Sequence, residues 1–189
     1  MMFKFPGFLA LALAVAPAST MAAPQTEKHT APAHAALAHP AAAKPAASAA
    51  PKEIGKFEDW TAATHLESGQ TVCYAFVRAQ NSVPALPNRG AVVLTVTERP
   101  ALRDTVAIDA GFAYPANANV TVQVDQTGLE FYTSGRDAFA RDGKAAVAAF
   151  TKGSRAIARS PGSKEVTDTF SLKGFGAAYA AIVKQCPAK

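Results

Sequence analysis

Hydrophobic and polar residues alternate along several short stretches of this chain, a pattern typical of β-strands that bury one face. The alternation predicts strands at residues 58–62, 71–78, 91–97, 105–112, 119–124, 129–133, 154–159 and 166–172. Two turn-forming tetrads, Glu67-Ser68-Gly69-Gln70 and Asp125-Gln126-Thr127-Gly128, separate pairs of these strands. Many short strands joined at close spacing indicate a mainly β fold, an antiparallel β-sandwich.

The stretch 71–78 differs from the others because apolar residues occupy both of its faces. A strand without a polar face is typical of the centre of a sheet that is covered on both sides. We therefore predict that this strand is central and buried on both faces. The two sets are Val72, Tyr74 and Phe76 on one face, and Cys73, Ala75 and Val77 on the other.

Two segments follow a helical period instead. Asp142 is a favourable N-cap for a short helix over residues 145–151, and Gly153 is a typical residue at which a helix ends. Near the C-terminus, apolar residues recur at i, i+3, i+4, i+7 and i+8, which predicts an amphipathic helix. Both short helices are expected to be accessories to the sandwich. The C-terminal stripe consists of Phe175, Ala178, Tyr179, Ile182 and Val183, and Cys186 extends it.

The N-terminal part of the chain differs in composition from the rest. Residues 1–23 combine Lys4, an apolar run and small residues ending at Ala23, which is the pattern of a secretory signal peptide. The apolar run is too short to span a bilayer, so no integral membrane segment is expected after cleavage. Residues 24–52 hold twelve alanines, five prolines and no aromatic residue, which predicts a disordered linker. The protein is therefore expected to be periplasmic or secreted.

Positive charge is concentrated towards the ends of the chain. The whole sequence has 19 basic and 14 acidic residues. Residues 53–189 keep 15 and 13 of these, because Lys4, Lys28, Lys44, Lys52 and Glu27 precede them. Such a balance argues against a nucleic-acid partner, which usually binds a clustered basic face. Residues 53–189 have the length of one domain.

Cys73 and Cys186 are the two cysteines of the chain. An even number of cysteines in an exported protein predicts a structural disulfide. This bond would close almost the whole domain and attach the C-terminal helix to an early strand.

Few residues of the predicted domain suit catalysis. His65 is its single histidine, and the sequence has no Gly-x-Ser-x-Gly elbow, phosphate loop or dinucleotide fingerprint. In the linker, His29, His34 and His39 are spaced five apart, which fixes no ligand geometry on a non-helical segment. The sequence therefore predicts no cofactor and no metal site, and it favours a protein that is not an enzyme.

The densest run of alternating charges, residues 134–144, is a candidate binding edge. The alternative is a solvated loop and strand whose ion pairs contribute only about 0–1 kcal/mol each. The candidate binding residues are Arg136, Asp137, Phe139, Arg141 and Asp142. A looser basic cluster would suit an anionic surface or form an ordinary charged face. That cluster consists of Lys152, Arg155, Arg159 and Lys164.

Several short segments, taken in order, resemble the invasion-associated locus B family over residues 55–187. They are Phe57-Glu58-Asp59-Trp60, Val72-Cys73-Tyr74, Arg99-Pro100, Ala138-Phe139-Ala140-Arg141-Asp142, Asp168-Thr169-Phe170-Ser171-Leu172, Gly174-Phe175, Ala177-Ala178-Tyr179 and Cys186. The resemblance implies an exported bacterial protein with an immunoglobulin-like β-sandwich. Founding members are linked to the entry of bacteria into host cells, and the family supplies no established catalytic residue.

Three functions are consistent with these features. The leading hypothesis is an exported, non-enzymatic, virulence-associated domain that binds a protein, an envelope component or a host surface. The first alternative is a periplasmic envelope-maintenance or chaperone-like component that acts through exposed strand edges. The second is a hydrolase that uses His65 with a serine. No residue pattern identifies the partner or an oligomeric state.

Overall fold

Antiparallel strands dominate the fold, which confirms the predicted mainly β class. A computed structural model of the protein describes residues 50–162 and 164–188. In this part of the chain, eleven strands form one continuous antiparallel sheet, and two α-helices pack against it. The predicted signal peptide and residues 24–49 of the predicted linker, with its three histidines, lie outside the described residues.

The strands follow the chain order with a few crossovers. Their order in the sheet is β1-β2-β3-β5-β6-β9-β8-β7-β10-β11-β4. The strands are β1 (Lys52–Phe57), β2 (Trp60–Glu67), β3 (Gln70–Arg78), β4 (Asn81–Val83), β5 (Val93–Glu98), β6 (Thr105–Asp109), β7 (Asn119–Val124), β8 (Thr127–Ser134), β9 (Asp137–Ala140), β10 (Arg155–Ser160) and β11 (Val166–Ser171), and the helices are α1 (Gly143–Lys152) and α2 (Phe175–Gln185).

The predicted hairpin between β2 and β3 is confirmed, and its turn residues explain it. Glu67 pairs with Gln70, which leaves a two-residue turn. Ser68 and Gly69 both have positive φ, at 51° and 79°. A two-residue turn with two positive φ angles matches the twist of the flanking strands, and glycine adopts this conformation without a steric penalty.

The sheet folds back on itself, which gives the sandwich-like form. The Trp60 indole on β2 donates a hydrogen bond to the Ser171 carbonyl at the end of β11, at 3.0 Å. The Gln80 backbone N–H, just after β3, donates to the Thr169 carbonyl on β11 at 2.8 Å. Because β2 and β11 lie far apart in the strand order, these bonds join the two ends of the sheet around a common core.

Both predicted helices are confirmed, and both contribute side chains to the core. Phe175 of α2 packs against Trp60, with ring centroids 4.8 Å apart, and against Phe150 of α1 at 5.6 Å. All three side chains are buried, and burying each stabilises the fold by about 1.5–3 kcal/mol. Neither helix of residues 50–162 and 164–188 has the length and apolar character needed to cross a bilayer.

The predicted disulfide joins Cys73 of β3 to Cys186, the residue after α2. Both residues are buried, and their Cα atoms are 5.9 Å apart. The bond therefore fixes the end of α2 against the centre of one half of the sheet, as the sequence predicted.

The prediction that β3 is buried on both faces is wrong at Tyr74 and Phe76. Cys73, Ala75 and Val77 lie in the core, whereas Tyr74 and Phe76 are only partly buried on the opposite face. The reason is the placement of the helices. The side chains by which α1 and α2 pack belong to the same core as Cys73 and Ala75, so neither helix covers the outer face of β3.

Candidate binding face

The outer face of the sheet carries a row of aromatic and small residues. In the strand register, Phe76 pairs with Thr95, Thr95 with Ala107, Ala107 with Phe139, and Phe139 with Tyr132. Because successive side chains of a strand point to opposite faces, paired residues share a face. The row therefore has an aromatic residue at one end, two at the other, and two small residues between them.

A shallow groove of about 400 Å³ lies at the Phe76 end of this row. Tyr74 and Phe76 lie side by side in it, with ring centroids 6.0 Å apart and 27° between their planes. The His65 ring contacts Tyr74 edge-on, with centroids 5.3 Å apart. We call this surface the aromatic groove, and it is lined by His65, Tyr74, Phe76, Val93, Thr95, Thr97 and Arg99.

The aromatic groove contains polar side-chain groups that form no hydrogen bond with the rest of the described chain. The His65 imidazole and the hydroxyls of Tyr74, Thr95 and Thr97 make no side-chain hydrogen bond within residues 50–162 and 164–188. Partial burial raises the pKa of Tyr74, so its hydroxyl keeps its proton at neutral pH. These groups are therefore available to a ligand.

The guanidinium of the aromatic groove has a partner of opposite charge. Arg99 Nε donates to Glu67 Oε2 at 2.8 Å, and both side chains are partly exposed. This ion pair lowers the pKa of Glu67, chiefly through the hydrogen bond from Arg99. The groove lining contains no carboxylate of its own. It is therefore a nearly neutral surface with an ion pair at its edge.

The structure separates the predicted binding residues into three places, of which the first is the β8–β9 turn. Arg136 lies in this turn, and its Nη2 is 3.4 Å from Asp109 Oδ1. Asp137 opposes Asp109 across the β6–β9 pair. The pKa of Asp137 is raised by burial and by the Asp109 charge, and Arg136 opposes this effect. These three residues form a charged corner of the outer face.

Phe139 and Arg141 occupy the second place, at the far end of the aromatic row. Phe139 stacks on Tyr132, with centroids 5.6 Å apart. The Arg141 guanidinium lies over the same Tyr132 ring at 5.8 Å and donates to Asn119 Oδ1 at 2.9 Å. Tyr132 is 45% exposed. Phe139 and Arg141 therefore belong to an aromatic and cationic patch together with Tyr132, which the sequence pattern did not indicate.

Asp142 occupies the third place, at the start of α1. Its carboxylate accepts a hydrogen bond from the Ala145 backbone N–H at 2.9 Å and caps α1. We expect Asp142→Ala to lower the free energy of unfolding by about 1 kcal/mol, as measured by urea denaturation. Binding of any ligand to the aromatic groove should be unchanged in this variant. A loss of more than about 3 kcal/mol would mean that the carboxylate does more than cap a helix.

A buried carboxyl group lies where the loop after β5 meets the end of α2. Glu98 Oε1 accepts from the Asp104 backbone N–H at 3.2 Å, and Oε2 lies 2.5 Å from Arg103 Nε. Arg103 Nη1 in turn donates to the Cys186 carbonyl at 2.6 Å, and Tyr179 donates to Asp104 Oδ1 at 2.5 Å. Burial, followed by the hydrogen bond with Asp104, raises the pKa of Glu98 to about 7.

This shift predicts a pH dependence of stability. The folded protein holds the Glu98 proton more tightly than the unfolded chain, whose carboxyl has a pKa of 4.5. The contribution of Glu98 is therefore greatest below pH 4.5 and is lost as the pH rises to about 7. Across this window we expect the wild type to lose roughly 2–3 kcal/mol relative to Glu98→Gln, in urea unfolding at several pH values. Parallel pH profiles for the two proteins would contradict the assignment.

The geometry around His65 gives no support to a hydrolase. No serine lines the aromatic groove in which the imidazole lies. Ser82 donates to Asp168, Ser160 pairs with the Tyr114 hydroxyl, and Ser171 accepts from the Lys173 backbone. Within the described chain, no group of three or more histidine, cysteine, aspartate or glutamate residues is arranged to hold a metal ion.

An interior ion pair that the sequence analysis missed fixes the segment before β5. Arg89 Nη1 and Nη2 donate to Asp168 Oδ1 and Oδ2 at 2.8 and 2.7 Å, and Arg89 Nε donates to the Ala110 carbonyl at 2.7 Å. The Ser82 hydroxyl donates to Asp168 at 2.6 Å, and the guanidinium lies over the Phe112 ring at 5.1 Å. Because these side chains are almost fully buried, the cluster belongs to the interior of the fold.

The residues of the basic cluster noted in the sequence do not line the aromatic groove. Arg155 and Arg159 stand on the same face of β10, and Lys152 ends α1. All of them are exposed, as is Lys164. Charged side chains in this arrangement are typical of a solvated surface.

The fold is therefore that of a disulfide-closed, β-sandwich-like domain with an open aromatic groove on its outer face. The family model described as "Invasion associated locus B (IalB) protein" matches residues 60–183. The chain belongs to this family, which confirms the resemblance found in the sequence.

Structural comparison agrees with this assignment at the level of the fold. The crystal structure of invasion associated protein B from Bartonella henselae matches with a TM-score of 0.53 and 19% sequence identity, over 69% of this chain and 95% of that chain. No curated protein matches the sequence.

Proposed function

We propose that the protein is an exported, non-enzymatic binding domain whose aromatic groove recognises a component of the bacterial envelope or of a host surface. The observation that carries the proposal is the aromatic groove itself. It combines Tyr74 and Phe76, which neither helix covers, with polar groups that have no partner in the described chain. Grooves of this size that are mainly apolar and contain a few polar groups are typical ligand sites.

Export is supported by the disulfide and by the predicted signal peptide. Cys73 and Cys186 are bonded, and such bonds persist in oxidising compartments such as the periplasm and the extracellular space. The family description contains the words "invasion associated". We therefore propose a periplasmic or secreted location and a virulence-associated role. The balanced charge of residues 53–189 favours a partner other than nucleic acid.

Binding through the strand edges, as in a chaperone-like component, has less support. The two edge strands of the sheet are β1 and β4. β1 carries Lys52, Glu53 and Lys56, and β4 has three residues. Charged or very short edge strands are the features by which proteins avoid pairing with another strand.

The proposal is tested by capture of partners with the purified exported protein. Crosslinking to envelope extracts and to host-cell surfaces should recover a partner with the wild type and much less of it with the double variant Tyr74→Ala/Phe76→Ala. Leu102→Ala is the matched control, since Leu102 is 56% exposed and lies outside the aromatic groove. Equal recovery by wild type and double variant would show that the aromatic groove is not the binding surface.

A further inference from the structure

The chemistry of the aromatic groove narrows the class of its ligand, an inference that rests on the proposed function. We propose that the aromatic groove binds a glycan of the bacterial envelope, a chain of pyranose rings with little net charge. Each pyranose ring has an apolar C–H face and a rim of hydroxyls. Such a ligand therefore requires a flat aromatic surface bordered by neutral hydrogen-bonding groups.

Tyr74 and Phe76 supply the aromatic surface. Their rings are stacked, with centroids 6.0 Å apart and planes inclined by 27°, and we call this pair on β3 the platform. Aromatic faces carry partial negative charge, which attracts the weakly positive C–H groups of a sugar face. The edge-on contact from His65 restricts the orientation of the Tyr74 ring. The platform is therefore held in place before a ligand arrives.

The hydrogen-bonding groups of the groove are the hydroxyls of Thr95, Thr97 and Tyr74 and the imidazole of His65. Each hydroxyl both donates and accepts, as sugar hydroxyls require of their partners. Since these groups have no side-chain partner in the described chain, a ligand can use them without breaking a bond of the protein. All four groups belong to residues that line the same groove as the platform.

The charged side chains at the aromatic groove do not favour binding of a strongly anionic glycan. The guanidinium of Arg99 is paired with Glu67 at 2.8 Å, and the groove lining contains no lysine and no second arginine. A sulfated host polysaccharide carries many anionic groups and would prefer exposed cations such as Arg155 and Arg159. Those residues lie on β10 and do not line the aromatic groove. The aromatic groove therefore suits a glycan with low charge density.

The aromatic row extends the platform towards an oligosaccharide. Phe76 and Phe139 are separated by three strand spacings, from β3 through β5 and β6 to β9. At about 4.8 Å per spacing, their backbones lie roughly 14 Å apart. Thr95 and Ala107, which lie between them in the row, have small side chains. A chain of several sugar rings can therefore lie across β5 and β6 and contact both aromatic ends.

The probe for this proposal is the hexamer of β-1,4-linked N-acetylglucosamine, added to the purified exported protein. We expect heat of binding by calorimetry and NMR shifts at the residues of the aromatic groove. Tyr74→Ala and Phe76→Ala should each weaken the Kd about tenfold or more. Tyr74→Phe keeps the ring and should weaken it less, which separates loss of stacking from loss of fold. Leu102→Ala should bind like the wild type, and no binding at millimolar hexamer overturns the proposal.

Two further probes distinguish other ligand classes. A synthetic peptide of residues 24–51 tests a proline-rich ligand, because extended proline-rich segments also dock on aromatic grooves. Heparin tests a sulfated polyanion. If either probe shifts the NMR signals of the groove residues and the hexamer does not, the proposal of a glycan with little net charge is wrong. If partner capture still depends on Tyr74 and Phe76 in that case, the binding-domain proposal stands while its glycan assignment falls.

Discussion

Replacing Asp168 by alanine is expected to lower the free energy of unfolding by about 3–5 kcal/mol. The carboxylate accepts two hydrogen bonds from Arg89 and one from Ser82, and it is completely buried. Without it, the guanidinium of Arg89 stays in the interior with no counter-charge and only the Ala110 carbonyl as acceptor. Leaving one charge of a buried pair uncompensated costs far more than the pair itself contributes. Urea denaturation followed by circular dichroism measures the loss.

The matched control is an ion pair of the same chemistry at the surface. Arg99 and Glu67 are joined at 2.8 Å, but their side chains are 34% and 47% exposed. Glu67→Ala should therefore lower the free energy of unfolding far less than Asp168→Ala does, since water solvates the remaining arginine. If Asp168→Ala and Glu67→Ala had equal effects, burial would not be the source of the Asp168 contribution.

The elements predicted from the sequence are those whose own residues carry a strong pattern. β7 begins and ends where the alternation of Asn119–Val124 predicted. α1 begins after Asp142 and ends at Gly153, because the carboxylate caps the first turn and the glycine ends the last one. In both cases the local preference and the tertiary packing agree, so the pattern is sufficient.

The elements that were missed have weak local patterns. β1 (KEIGKF) has two apolar side chains among charged residues, and β4 has three residues in all. Each is a strand because a long neighbour, β2 or β11, offers it hydrogen bonds. Strands formed by pairing rather than by their own alternation are not visible in a single sequence.

The candidate site was only partly predictable for a related reason. Tyr74 and Phe76 were placed on one face correctly, but whether that face is covered depends on where the helices pack. The pairing of Arg89 with Asp168 joins residues 79 positions apart, and no motif links them. The charge run of residues 134–144 did contain two members of an aromatic patch, Phe139 and Arg141, because short-range alternation places them on the outer face.

Removing the disulfide is the second change with a large expected effect. The double variant Cys73→Ala/Cys186→Ala should lose about 4–5 kcal/mol of unfolding free energy, since the bond closes a loop with a sequence separation of 113. In this estimate the bond acts mainly by restricting the unfolded chain, so the variant should keep the native far-ultraviolet spectrum but unfold at lower urea. Adding reductant to the wild type during unfolding should shift its midpoint to that of the variant.

The C-terminal helix should show where the folded state loosens once the disulfide is gone. α2 would still be held by Phe175 and Ile182 in the core and by the Arg103 bond to the Cys186 carbonyl at 2.6 Å. The first two are packing contacts along the helix, whereas the last lies at its end and is partly exposed. In the double variant, amide exchange should therefore accelerate most at the C-terminal end of α2, around position 186, and least near Phe175. If the wild type had the same urea midpoint with and without reductant, the disulfide would not be what holds the end of α2 in place.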